Sequence, residues 1–265
     1  MILPFFYCGL KTAVNDRTLF FTDMFMAVLF PLTLQILIWR NIFSADGQML
    51  NGMHEGEVIS YYAFALIISR LNNGYDLIRT MGEHVLNGTL DTHLTKPNNY
   101  LYQRFQVFLG ESSIYAVPLL LAVVARELYT SDLTAIKPEI LLHTSIFLTA
   151  IVLAQLTCFA LSLCIALLVF WTIDYYMLLS FDICCTALLG GTLLPLAFWP
   201  DWMQPLLRFN PYRFIISAPA EIFAINNIVV LQEMIIGASC YLALFFVIST
   251  FLWKYGKNRY HSAGG

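Results

Sequence analysis

The sequence predicts an all-α integral membrane protein with six transmembrane helices. An amphipathic helix precedes the first span, another lies on the cytoplasmic side after the second, and short re-entrant helices sit on the outer side before the last. Three observations predict this. The 265 residues are 59% hydrophobic and 12% charged, with a mean hydropathy of +0.70. A soluble domain carries about 25% charged residues, so most of this chain has to face lipid or other apolar helices. Several apolar runs reach the roughly 20 residues that cross a hydrocarbon core about 30 Å thick. The segments between those runs are either amphipathic or broken by proline.

Residues 1–18 read as an amphipathic segment at the interface, closing with Lys11, Asp16 and Arg17. No basic residue precedes the apolar stretch Ile2–Leu10, so the pattern is not that of a cleaved signal peptide. Residues 19–260 form a single six-span domain. The first span covers 20–42, with Asp23 near one end. The second covers 58–75 and carries Arg70, and the third covers 105–124 and carries Glu111. The fourth covers 140–172, a run of 33 residues without Lys, Arg, Asp or Glu, long enough to require tilt or extension beyond the core. The fifth covers 175–196 and carries Asp182. The sixth covers 227–253 and ends at Lys254, Lys257 and Arg259.

An even number of spans puts both termini on one side. That side holds eight Lys and Arg (Lys11, Arg17, Arg79, Lys96, Arg104, Lys254, Lys257, Arg259) against five on the other (Arg40, Arg126, Lys137, Arg208, Arg213). The excess of positive charge favours cytoplasmic termini.

Two connections carry information. In the cytoplasmic loop 76–104, Leu77, Ile78, Met81 and Val85 share one helical face, and Asp76, Arg79, Glu83 and His84 the other. Asn87-Gly88 ends this helix and Pro97 makes a second break. Such a helix, flat under the membrane and followed by a turn, is a docking surface in outline. The outer segment 198–226 contains Pro200, Trp202, Pro205, Pro211 and Glu221, too broken to span yet too apolar for a free loop. It is expected to be re-entrant, its backbone satisfied by protein or water, with Trp199, Trp202 and Tyr212 at headgroup level.

Catalytic signatures are missing. The Gly-Lys pair Gly256-Lys257 is followed by Asn258, not Ser or Thr, so no nucleotide-binding P-loop is formed. The chain is therefore expected not to be an enzyme. The histidines are scattered, and five of the six cysteines lie inside apolar runs as small hydrophobes; no metal site and no nucleic-acid partner are expected. Ionisable residues within spans are the functional candidates. Arg70 and Glu111 are expected to form an intramembrane ion pair. Asp182, with no evident partner, is expected to line a polar path or bind a cation. Glu233 lies near the outer end of the sixth span.

The stretch from Val85 to Pro97, with Gly88, Leu90, Asp91, Leu94, Lys96 and Pro97 in register, resembles the "G-x-L-D-x-x-L-x-[KR]-P" motif of ABC-2-type permeases. The stretch from Leu194 to Leu207, with Pro195, Pro200, Trp202 and Gln204, is similar to their "P-x-x-x-x-P-x-W-x-Q-x-[LI]-L" motif. Asn210-Pro211-Tyr212 and Pro219–Phe223 resemble the residues downstream of that motif in the family. The resemblance implies the membrane subunit of a bacterial type 2 ABC exporter in the inner membrane, in contact with membrane lipid. It implies a second permease, identical or paralogous, and a cytosolic ATPase dimer that would carry the ATP and magnesium. The helix after the second span would be the coupling helix, with Arg79, Glu83, His84, Gly88, Asp91 and Lys96 at the ATPase interface. Substrate would pass between the second and fifth spans of two protomers, with Tyr62, Arg70, Tyr176 and Asp182 on the path and Asp182 facing the protomer interface. The alternatives are a secondary transporter or ion channel, and a membrane scaffold or sensor subunit.

Overall fold

A computed structural model describes residues 3–46, 49–50, 52–95, 99–130, 138–172, 174–225 and 228–260. Helix α1 (Leu3–Asn15) turns at Asp16 into α2 (Arg17–Ala45). A two-rung hairpin comes next, β1 (Met49–Leu50) against β2 (Met53–His54), turning at Gly52 with φ +81°. It leads into α3 (Glu55–Leu71), α4 (Tyr75–Leu86) and the single turn α5 (Asp91–Leu94). They are succeeded by α6 (Tyr100–Arg126) and α7 (Thr144–Phe170), then α8 (Tyr176–Leu189) and α9 (Gln204–Arg208). Helix α10 (213–225) and α11 (Val229–Arg259) complete the chain.

Four of these, α2, α6, α7 and α11, are long and apolar enough to cross a membrane. This is a multi-pass membrane protein. The second and fifth predicted spans are shorter than expected. Helix α3 stops at Leu71 instead of reaching 75. Helix α8 has 14 residues and stops at Leu189 instead of 196, which is about 21 Å of helix. At its end, Gly191 takes φ +80°, a conformation open to glycine and strained for other residues.

Helix α3 is the centre of the bundle. Val58, Tyr61, Tyr62, Ala65 and Ile68 are fully buried, and apolar residues are covered on every side, as expected of a helix surrounded by other helices. By contrast, Phe21, Phe25 and Leu29 of α2, and Ile236, Phe246 and Phe251 of α11, stand exposed on apolar faces suited to lipid.

Prolines inside helices explain the departures from regular α geometry. A proline cannot donate to the carbonyl four residues before it and pushes against it. Pro31 comes after a π-turn at Phe25–Leu29, Pro118 after a 3-10 turn at Ser113–Tyr115, and Pro219 after a π-turn at Arg213–Ser217. In the last case Asn72 Nδ2, from the end of α3, donates to the Ile215 carbonyl that Pro219 cannot serve, at 2.8 Å.

Helix α1 does not simply lie at an interface; it packs on the first half of α6, backbone against backbone. A Cβ on Gly110 would stand 2.3 Å from the Phe6 carbonyl oxygen, and one on Gly9 would stand 2.5 Å from that of Val107. Gly110→Ala should therefore destabilise the protein by about 1–3 kcal/mol. Gly56→Ala, where a Cβ meets nothing within 4 Å, should leave stability unchanged or slightly raised. Thermal unfolding of the two purified variants in one detergent tests the contrast.

Candidate functional site

The bundle holds a polar cavity of about 130 Å³, walled by the end of α3, the middle of α7, the second half of α8, and by Thr192, Tyr212 and Ile215. It brings together Arg70 and Asp182, two of the four residues expected on a path; Tyr62 and Tyr176 are not among its lining. Tyr62 is buried beside Trp39 and donates its hydroxyl to the Leu193 carbonyl at 3.1 Å. Tyr176 is 60% exposed.

Three expectations need correction here. Arg70 does not pair with Glu111. Its guanidinium meets Asp23 of α2 at 3.1 Å, and the Tyr115 hydroxyl donates to the other oxygen of Asp23 at 2.8 Å. Local spacing gives no hint of this, because Asp23 reaches Arg70 only across a helix contact. Asp182 is not without a partner: Tyr212 donates to Oδ1 at 3.2 Å. Asp182 is 8% exposed within this chain. Tyr212, expected at headgroup level, is buried.

Helix α4 presents the amphipathic face read from the sequence. Leu77, Ile78 and Met81 are buried and Val85 is half-buried. Arg79 bridges Asp76 at 3.0 Å and Glu83 at 3.7 Å on the open side. Partial burial alone would lower the guanidinium of Arg79. The hydrogen bond from Arg79 to Asp76 and the two carboxylate charges outweigh it and push it above its ordinary value, so it stays cationic. The buried side is held at close range: a Cβ on Gly74 would stand 1.8 Å from Ser162 Oγ, and one on Gly82 would stand 2.5 Å from the Tyr175 ring. Helix α4 ends at Asn87, and Gly88 turns with φ +71°. His84 belongs to the packed side, contrary to its assignment to the polar face. Its Nδ1 lies 2.8 Å from the Tyr100 hydroxyl, and its ring stacks on His93 at 4.4 Å. Asp91 opens α5 and is half-buried. Lys96 and Pro97 lie outside the described residues.

The proline-broken segment after α8 folds against α3, and its backbone is satisfied by side chains. Tyr61 donates to the Gly191 carbonyl at 2.9 Å. Gln204 Nε2 serves the carbonyls of Leu196 and Trp199, and Asn210 Nδ2 those of Leu189 and Leu207. Trp202 is 76% exposed, Pro200 precedes the turn leading to α9, and Pro211 leads into α10.

Here the structure shows a network that sequence reading misses. Arg213, almost fully buried, meets Glu233 of α11 at 3.0 Å and Glu221 of α10 at 3.6 Å. Arg208 also pairs with Glu233, and the Ser217 hydroxyl donates to Glu221 at 2.5 Å. The four charged groups face a cavity of about 690 Å³ that also touches Tyr61, Leu196 and Gln204. The balanced count of Arg and Glu in this stretch is the available signal.

Among the described residues, no three His, Cys, Asp or Glu converge as a metal cluster requires. The arrangement offers polar cavities inside an apolar bundle and a charged helix at one end of it. The profile of a family described as "ABC-2 family transporter protein" matches residues 29–264. A comparison with curated proteins finds no match.

The Arg–Glu network should divide sharply by burial. Arg213→Ala leaves the buried Glu221 without a cation and Glu233 with Arg208 alone, and should cost about 3–5 kcal/mol. Arg208→Ala removes a guanidinium that is 60% exposed and should cost about 1 kcal/mol or less. Unfolding of both variants in detergent, followed by tryptophan fluorescence, reads the difference.

Proposed function

We propose, from the premise that the chain belongs to the ABC-2 family of transporter proteins, that it is the permease subunit of an ATP-driven exporter powered by a separate cytosolic ATPase. The observation that carries this reading is the setting of α4, together with that membership. It is an amphipathic helix pinned to the bundle by Gly74 and Gly82, yet it turns Asp76, Arg79 and Glu83 outward. A helix serving only to cover the bundle has no use for an ordered charged ridge. A helix that receives a push from another protein needs both a recognisable outer face and a stiff inner one.

In this reading α3 and α8 complete six spans with α2, α6, α7 and α11, and both termini are cytoplasmic. The protein sits in the inner membrane of a bacterium as one of two permeases, above two ATPases that hold ATP and magnesium. The chain itself is no enzyme. Arg79, Glu83, Asp91 and Lys96 contact the ATPase, while His84 and Gly88 shape the loop that presents them. ATP-driven closure of the ATPases favours one of two permease arrangements. Movement of α4 reaches α7 through Gly74 and Ser162. It reaches the outer segment through the neighbouring Asn72, which holds Ile215. Cargo moves outward between the two protomers.

Simultaneous reversal of Arg79, Glu83 and Asp91 (R79E, E83K, D91K) should abolish co-purification of the cytosolic ATPase from the native host and stop ATP-dependent export. Reversal of Arg40, at the opposite end of α2, should do neither. An unchanged yield of ATPase with the triple variant would overturn the assignment of α4.

A further inference from the structure

We infer that the cavity around Asp182 is a binding site for one monovalent alkali cation of sodium's size. The first ground is charge. Asp182 is buried in the bundle, and Tyr212 is its one hydrogen-bond partner among the described residues. No Lys, Arg or His pairs with it there. Arg70, the cation that shares the cavity, is engaged by Asp23 at 3.1 Å. Counting these three groups leaves one negative charge, and a lone carboxylate in a low-dielectric interior has to be compensated. A monovalent cation brings the sum to zero; a divalent one would leave an excess of opposite sign.

The second ground is the surplus of acceptors. Asn72 is 3% exposed and spends its amide nitrogen on Ile215. Its Oδ1 is buried with no hydrogen-bond partner, although a buried acceptor of this kind is nearly always satisfied. Asn72 lines the same cavity as Asp182, with the hydroxyls of Ser162 and Thr186. A carboxylate with neutral amide and hydroxyl oxygens is the donor set of a hard cation, not of a thiolate- or imidazole-seeking metal. The volume of about 130 Å³ admits such an ion with part of its water, each water taking about 30 Å³.

The third ground is access. Arg70 and Asn73 line this cavity and also a second one of about 160 Å³ on the side of α4. The second cavity is lined by Asp16, Asp76 and Glu111 as well as by Arg70 and Arg79, with Asp76 paired to Arg79 and Arg70 to Asp23. With both arginines neutralised by their aspartates, a cation arriving from that side passes the remaining carboxyl groups Asp16 and Glu111 and reaches Asp182 past Asn73. The interrupted backbone beside the site, from Tyr212 into the π-turn of α10, fits the use of broken helices around ions in membrane proteins.

Binding of radioactive sodium to the purified full-length chain in detergent tests this without any ATPase, so its failure leaves the export reading untouched. Saturable binding of one sodium per chain is expected, lost in Asp182→Asn and weakened about tenfold or more in Asn72→Ala. Absence of saturable binding by the wild type, or equal binding by Asp182→Asn, would overturn the site. A second arm needs no variant: a hydrophobic carbodiimide should modify Asp182 in choline buffer, with the site read by mass spectrometry, and sodium should slow the reaction. Equal labelling in sodium, potassium and choline would show that a proton neutralises the carboxylate, and would equally overturn the site.

Discussion

The backbone carbonyls between Leu189 and Ile215 impose the constraint on which the rest of this structure depends. In an apolar surrounding every peptide group needs a partner, and each one left bare costs several kcal/mol. A continuous helix meets that demand by itself. A chain that turns at Gly191, breaks at Pro195 and Pro200 and restarts at Pro211 cannot. Here the partners are side chains: Tyr61 and Tyr62 from α3, Gln204 and Asn210 from within the segment, and Asn72 from the far end of α3. This explains why so central a helix carries tyrosines and an asparagine where leucine would pack as well. It also ties the outer segment to α3 so closely that the two must move together or exchange several hydrogen bonds.

Charge obeys the same logic. Arg70 is held by Asp23 and, through it, by Tyr115, joining α2, α3 and α6 at one level. Arg213 joins α10 and α11 through two glutamates. Both arginines are buried or half-buried forks, which suits them to hold two acceptors at once. Ion pairs of this kind add little net stability over apolar packing. Their role is to set which helix faces which.

What can be read from the sequence is what is local. The apolar period of Leu77, Ile78 and Met81 marks α4 without help from the rest of the chain, and the clustered prolines mark the outer break. The apolar runs around 140–172 and toward the end of 227–253 announce α7 and α11. The partner of Arg70 escapes such reading because it is decided by the crossing of α2 and α3, and Glu111 is the nearer candidate only by span count. Residue type alone puts Tyr212 at the headgroups, whereas the turn at Pro211 swings it under α10 toward Asp182. The docking of α1 rests on Gly9 and Gly110, and two glycines so far apart carry no joint signal in one sequence. The short α8 is likewise overextended by its composition, since Gly190-Gly191 sits in a stretch that stays apolar through Leu196.

The seam between Gly9 and Gly110 also sets an order of assembly. Helix α1 is made before α6, and the surface it fits is completed only after α2, α3 and α4 have been synthesised and α6 has begun. Until then its apolar side must wait at the bilayer surface. Closing so long a loop is entropically slow compared with pairing of neighbouring helices. Helix α1 thus waits for α6 longer than any helix waits for its sequence neighbour. Its docking closes the first half of the chain on itself before α7 to α11 are made.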